Sequence, residues 1–115
     1  MILFERGEIW LADLNPPSGT EPGKTRPVLI LQAEALLLAG HPSTLIAPLT
    51  TRLVDGAEPL RVRIDAAEAL ARDSDVLVDQ LRSIDNRRLE RRLAKLSPDV
   101  LALVEAAVKD VLQLG

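Results

Sequence analysis

Asn15-Pro-Pro-Ser-Gly-Thr-Glu-Pro-Gly-Lys-Thr-Arg-Pro-Val-Leu-Ile-Leu31 is the stretch that organises the chain. Pro16, Pro17 and Pro22, with Gly19, Gly23 and Ser18, make its first part an irregular, turn-rich loop. Val28 to Leu31 is a short apolar run and reads as a strand covered on both faces. Arg26 stands at the junction. Its proline neighbour, Pro27, forces it into extended geometry, because the ring clashes with a helical residue before it. A permanently charged, forked donor is thereby held at the mouth of a core strand, where an anion can reach it. The same placement suits a strand-edge arginine paired with Glu21 or another carboxylate, and the stretch alone leaves both readings open.

Composition narrows the choice of function. The chain has 115 residues and is 47% hydrophobic, enough for one compact domain spanning 1–115 and too apolar for a disordered chain. Phe4 and Trp10 are the only aromatic residues. The core is therefore built from Leu, Val, Ile and Ala, and an aromatic platform for stacking bases is poorly supported. There is no cysteine and only one histidine, His41. That rules out disulfides, thiolate metal sites and a histidine pair, so no metal or other cofactor is expected. Met1-Ile-Leu-Phe4 is too short for a secretory signal and no run is long enough to span a bilayer, so the expectation is a soluble cytoplasmic protein with no membrane partner. The net charge of -3 argues against indiscriminate nucleic-acid binding but permits a local basic groove.

Outward from the opening stretch, Glu8–Leu14 reads as a strand, with Ile9, Leu11 and Asp13 on one face and Trp10, Ala12 and Leu14 on the other. Gln32–Ala39 has helix-forming composition and is stopped by Gly40-His41-Pro42. Thr44–Leu49 is a third strand, with Pro48 suggesting a bulge or an edge. Leu53–Pro59 reads as a hairpin connection through Asp55-Gly56. In Leu60–Ile64 the alternation puts Leu60, Val62 and Ile64 inward and Arg61 and Arg63 outward. Ala66–Ala71 is a helical turn. Ser74–Leu81 is a fifth strand, which Arg82–Asp85 continues. Asn86–Leu96 is arginine-rich and amphipathic, with Leu89 and Leu93 four apart. Its arginines either bind RNA or form a solvated face, the simpler reading with Glu90 interleaved. Ser97-Pro98-Asp99 opens a final helix with an N-cap, a first-turn proline and an acid, and Val100, Val104, Ala107, Val108 and Val111 make its apolar stripe. Five strands, short connections and one long helix predict a mainly β fold: a small, bent antiparallel sheet partly closed into a barrel, with the helix over one face.

Three segments bring polar groups to strand ends: Glu21 with Lys24 to Pro27, Pro48 to Thr51, and Asp73 to Asp85. They are also what carries a resemblance. Gly7-Glu-Ile-Trp-Leu-Ala-Asp-Leu-Asn-Pro16, Gly19-Thr-Glu-Pro-Gly-Lys-Thr-Arg-Pro-Val-Leu-Ile-Leu31, Ala47-Pro-Leu-Thr-Thr51 and Asp73-Ser with Val78-Asp-Gln-Leu-Arg-Ser-Ile-Asp85 together resemble the MazF/PemK toxin family, in order and over nearly the whole chain. The resemblance implies an SH3-like, barrel-related antiparallel sheet with a terminal helix, as in the CcdB relatives. It implies a homodimeric toxin that cuts single-stranded RNA at short sequences without a metal, leaves a 2′,3′-cyclic phosphate and a 5′-hydroxyl, and is silenced by a cognate antitoxin. Carried over by motif, the family's catalytic arginine falls on Arg26 and its catalytic threonine on Thr50. Glu21, Lys24, Thr51, Gln80 and Arg82 fall at substrate-binding positions. The sequence departs from the usual pattern in Glu21-Pro22-Gly23, where Pro22 stiffens the loop, and in Leu81.

These residue types suit that chemistry. Without a metal, the attacking group is the RNA's own 2′-hydroxyl. An arginine fork steadies the charge that builds on the phosphorus, and a threonine hydroxyl adds a donor. Arginine is a poor proton shuttle at neutral pH, so charge stabilisation is the firmer role for Arg26. Glu21 is a base by chemical type or a loop carboxylate paired with Lys24 or Arg26. His41, before Pro42 in a turn, reads as a solvated surface residue. The alternative from another class is a CcdB-like toxin that binds a DNA topoisomerase and has no use for an Arg26–Thr50 pair.

Overall fold

A computed structural model describes residues 4–15, 19–20, 24–68 and 70–115. Seven strands run in the order β1 (Glu8–Asp13), β2 (Thr25–Ile30), β3 (Ser43–Thr50), β4 (Arg61–Ile64), β5 (Ser74–Leu77), β6 (Arg82–Asp85) and β7 (Leu89–Lys95). Two helices join them, α1 (Glu34–Leu38) and α2 (Pro98–Leu112). Every pairing is antiparallel, along the path β4-β5-β3-β2-β1-β7, with β6 also on β3. The sheet is open along this path, yet strongly bent. Val62 and Ile64 from one end strand and Ala94 from the other share a single core cluster with Val104 and Ala107 of α2. A second cluster on the opposite face gathers Trp10, Ala12, Leu14, Val28, Ile30, Ile46, Ile84 and Leu89. The mainly β antiparallel fold with a terminal helix is thus as expected.

The helix follows its sequence signals. Ser97 Oγ accepts from the Val100 N–H at 3.4 Å, Pro98 opens the helix and Asp99 lies in its first turn. Val104 and Ala107 are buried, with Val100, Leu101, Val108 and Val111 packed beside them. Gly7 sets the distance between helix and sheet. Its φ is +89°, its N–H donates to the Ile30 carbonyl, its carbonyl accepts from the Leu96 N–H, and an added Cβ would stand 3.1 Å from Leu101 Cδ2.

Several boundaries differ from the sequence reading, each for a physical reason. β2 begins at Thr25, so Arg26 and Pro27 are inside the strand rather than at its mouth. A proline fits because β3 pairs with β2 only from Val28 onward. Pro48 marks neither an outer strand nor the sheet's rim. It sits where β3 leaves β6 after Ile46 and takes up β5 at Leu49. Ser74–Leu81 is not one strand. β5 and β6 lie along the same edge of β3 in registers three residues apart, and the 3-10 turn Val78–Gln80 takes up the difference while burying Val78. Leu53–Pro59 is not a hairpin connection, because β4 pairs with β5 and not with β3. Leu60 precedes β4 and is half exposed. Asn86–Leu96 is a 3-10 turn followed by β7. Its register on β1 shifts twice, so Leu89 packs with Trp10 in one cluster and Leu93 against the other.

β7 also carries the arginine that completes a buried network. Glu8 is 4% exposed. Its Oε1 accepts from Trp10 Nε1 (3.0 Å) and from the Glu5 N–H (2.8 Å), and its Oε2 accepts from Arg92 Nε. Removing the carboxylate strands the indole N–H in the core. Glu8→Ala is expected to destabilise the fold by about 1–3 kcal/mol, the cost of an unsatisfied buried donor. Urea unfolding checks this, and a loss below about 0.5 kcal/mol would show that the network is idle.

Candidate functional site

The register of β2 and β3 places the site. Val28 stands opposite Pro48, and continuing two residues toward the start of β2 and the end of β3 brings Arg26 level with Thr50. On the other edge of β3, Thr50 is paired with Asp75 of β5. A cleft of about 510 Å³ opens at this end of the sheet. Lys24, Arg26 and Arg52 line it with positive charge, and Thr50, Thr51 and Ser74 line it with hydroxyls. Pro27 and Leu49 form its apolar floor, and no described carboxylate lines it.

The electrostatics follow. Burial, and then the nearby Arg52 guanidinium, push the pKa of Arg26 below the usual arginine value. Two like charges facing a partly buried cleft repel, and an anion between them relieves both. Thr50 Oγ accepts from the Arg52 N–H at 3.1 Å, which leaves its own hydrogen to donate into the cleft. Ser74 Oγ donates to the Arg72 carbonyl at 3.2 Å.

Behind the cleft lies Asp75, 1% exposed. Its Oδ1 accepts from Arg63 Nε (2.6 Å), and its Oδ2 accepts from Arg61 Nη1 (3.1 Å) and the Val54 N–H (3.0 Å). Burial works to raise its pKa. The bonds from Arg63, Val54 and Arg61 outweigh that and hold it below the ordinary carboxylate value.

Of the residues singled out in the sequence, Lys24, Arg26, Thr50 and Thr51 converge on one cleft. Gln80 and Arg82 do not line it. Gln80 is in a 3-10 turn, and Arg82 faces Ile46, four residues before Thr50 on β3 and so about 13 Å along the strand. Glu21 lies outside the described residues. His41 is exposed in its turn, where its carbonyl accepts from Asn86 Nδ2. The arginine run is tied down locally. Arg87 grips Asp85 through two nitrogens, pulling that acid to about 2, Arg88 donates to the carbonyls of Asp13 and Asn15, and Arg92 holds Glu8. Arg61 and Arg63 point away from the core as expected, but they are bound to Asp75 rather than free in solvent. Sequence reasoning missed Arg52, Ser74 and Asp75. For Arg52 the signal was available: a third polar residue directly after Thr50-Thr51.

Comparison with known proteins agrees with this geometry. The sequence pattern of PemK-like, MazF-like toxins of type II toxin-antitoxin systems matches residues 5–112. The chain is 32% identical to Endoribonuclease EndoA of Bacillus subtilis (strain 168), over 98% of this chain and 97% of that one. It is similar in structure to MazF from Deinococcus radiodurans, with a TM-score of 0.84 and 28% identity over 99% of this chain and all of the other. It is also similar to a chain of a MazE-MazF structure from the same organism, with a TM-score of 0.76 and 28% identity over 99% of this chain and 100% of that chain.

The depressed Asp75 pKa has a consequence for acid stability. A carboxyl whose folded value lies below its unfolded value of about 3.9 stabilises the fold fully above that unfolded value and loses the contribution as pH falls through the folded one. Asp75→Asn should therefore be less stable than wild type at neutral pH, yet lose less stability between about pH 5 and about pH 2. Urea midpoints for both proteins across that range measure the difference; parallel curves would mean that Asp75 does not drive the acid transition.

Proposed function

The chain belongs to the PemK-like, MazF-like toxins of type II toxin-antitoxin systems, and on that premise we propose that it is an endoribonuclease toxin that cuts single-stranded RNA at short sequences without a metal. The products would be a 2′,3′-cyclic phosphate and a 5′-hydroxyl. One observation carries the reading: a chain of net charge -3 collects three cations and three hydroxyls in one cleft whose described lining holds no carboxylate. The likeness to an endoribonuclease over nearly the full length of both chains supports it. A CcdB-like binding toxin would not need Arg26 and Thr50 on one cleft.

In this mechanism the RNA's 2′-hydroxyl attacks the adjacent phosphorus. Arg26 presents its fork to the non-bridging oxygens, where charge grows in the transition state. Thr50 donates its hydrogen to the same phosphoryl group, and Arg52 adds a second positive charge. The lowered pKa of Arg26 moves it toward protonating the departing 5′-oxygen, but arginine starts above about 12, so charge stabilisation is its main work. Glu21, Lys24 and Thr51 contact the substrate around the scissile bond; Gln80 and Arg82 serve nucleotides farther along the strand.

The partners follow from the same cleft. An antitoxin with an acidic, partly disordered tail would compete with RNA for the cations, by charge complementarity and folding on contact. We assign a homodimer, whose second copy extends the groove, and a cytoplasmic location, where RNA and antitoxin meet. Among the described residues no helix is long and apolar enough to cross a membrane.

Two experiments test the reading. Cleavage should persist in excess EDTA and leave 5′-hydroxyl ends; activity lost to the chelator and restored by magnesium would sink the intramolecular mechanism. Arg26→Lys keeps the charge but loses the fork, and Thr50→Val keeps the shape but loses the hydroxyl. Each should lower single-turnover cleavage by about 10²–10³, the range for one lost oxyanion donor, with RNA affinity and melting temperature near wild type. Wild-type rates in both folded variants would remove these residues from the site.

A further inference from the structure

The rim of the cleft is the exposed segment Thr51–Asp55, and an exposed loop is ordinarily among the least stable parts of a protein. Here its main chain is held at three points. The Arg52 N–H donates to Thr50 Oγ (3.1 Å), the Arg52 carbonyl accepts from Arg61 Nη1 (2.8 Å), and the Val54 N–H donates to Asp75 Oδ2 (3.0 Å). The same Arg61 nitrogen also donates to Asp75 (3.1 Å), so the buried acid aims the arginine that grips the loop.

We propose that Arg61, backed by Asp75, is a positioning residue for the cleft: it fixes the Arg52 peptide and thereby aims the Thr50 hydroxyl and the Arg52 guanidinium at the scissile phosphate. A threonine hydroxyl that accepts from a fixed amide has its hydrogen turned away from that amide. Freeing the Arg52 peptide frees the hydroxyl rotor and lets the cation swing. Both losses fall on the transition state more than on ground-state binding, since Lys24 and Arg26 still hold the phosphate.

Arg63 supplies the control. It donates to the same Asp75 (2.6 Å) and reaches Asp55 (2.8 Å), but has no printed bond to any residue lining the cleft. Removing either arginine takes one partner from the buried carboxylate. Only the loss of Arg61 releases the Arg52 carbonyl.

The proposal rests on the reading of this cleft as the RNA-cleaving site, so one readout is chosen to stand apart from cleavage. Arg61→Ala, Arg61→Lys and Arg63→Ala are compared with wild type, at a temperature well below every melting point. Arg61→Ala should cut turnover by about tenfold to a hundredfold, the scale of a small misplacement of reacting groups, with KM changed by less than about threefold. Arg61→Lys, which still reaches one acceptor, should recover part of that loss. Arg63→Ala should lower the melting temperature comparably, yet turn over within about twofold of wild type. Amide exchange at Arg52 and Val54 should quicken in Arg61→Ala and stay slow at Arg52 in Arg63→Ala. Equal turnover losses in the two alanine variants, a loss confined to KM, or unchanged exchange at Arg52 would each overturn the positioning role. If wild type cut no RNA, the functional reading would fall, while exchange at Arg52 would still decide whether Arg61 fixes that peptide.

Discussion

The sheet depends on how β3 divides its two edges among three strands. One edge carries β2 through Val28, Leu29 and Ile30, and the other carries first β6 and then β5. That division makes β3 the strand through which the other sheet pairings pass, and it locates the handover at Pro48, which has no N–H to contribute to either ladder. Beyond the handover the strand has only Leu49 and Thr50 left. Thr50 therefore has β2's first residues on one side and Asp75 on the other, and the cleft forms where β2 and β3 part company.

Charge is sorted by the same geometry. Aspartates and glutamates outnumber lysines and arginines, 17 to 14, yet the cleft's described lining is cationic. The neighbouring acids are turned elsewhere. Asp75 lies next to Thr50 in register but spends its oxygens on Arg61, Arg63 and Val54. Glu8 is held by Trp10 and Arg92 on the far side of the sheet path, and Asp85 by Arg87. A buried acid with several donors remains ionised without competing for the cleft. Net charge thus says little about what one end of the sheet can bind.

What the sequence made legible divides along physical lines. Arg26 and Thr50 were readable because their motifs are local, and the fold merely brings the two together. The terminal helix was readable because Ser97, Pro98 and the apolar stripe all point the same way. β7 was not, because two register shifts break its period of two, and the four-residue spacing of Leu89 and Leu93 then mimics a helix. The break between β5 and β6 was hidden because Val78 is apolar and buried in a turn just as it would be in a strand. Asp75 was hidden because its partners, Arg61 and Arg63, lie on another strand and read there as ordinary outward residues of an alternating run. Pairing across strands is the information that a single sequence lacks.

The cleft is also a place where the empty protein carries strain of an electrostatic kind. Arg26 is partly desolvated and faces Arg52, and both effects lower its affinity for its proton. Any anion that enters reverses both at once, replacing lost hydration with charge-assisted bonds and screening one guanidinium from the other. Binding energy is thereby available to anions as a class, whether an RNA phosphate or the carboxylates of an acidic tail. What separates the two is what happens next. A phosphodiester bearing a 2′-hydroxyl places a reacting centre before Thr50, and charge then grows where Arg26 already points. A carboxylate satisfies the same cations and has no further step to take. On the proposed reading, one site serves as both catalytic centre and point of inhibition, because the chemistry that stabilises the transition state is the chemistry that holds an unreactive anion.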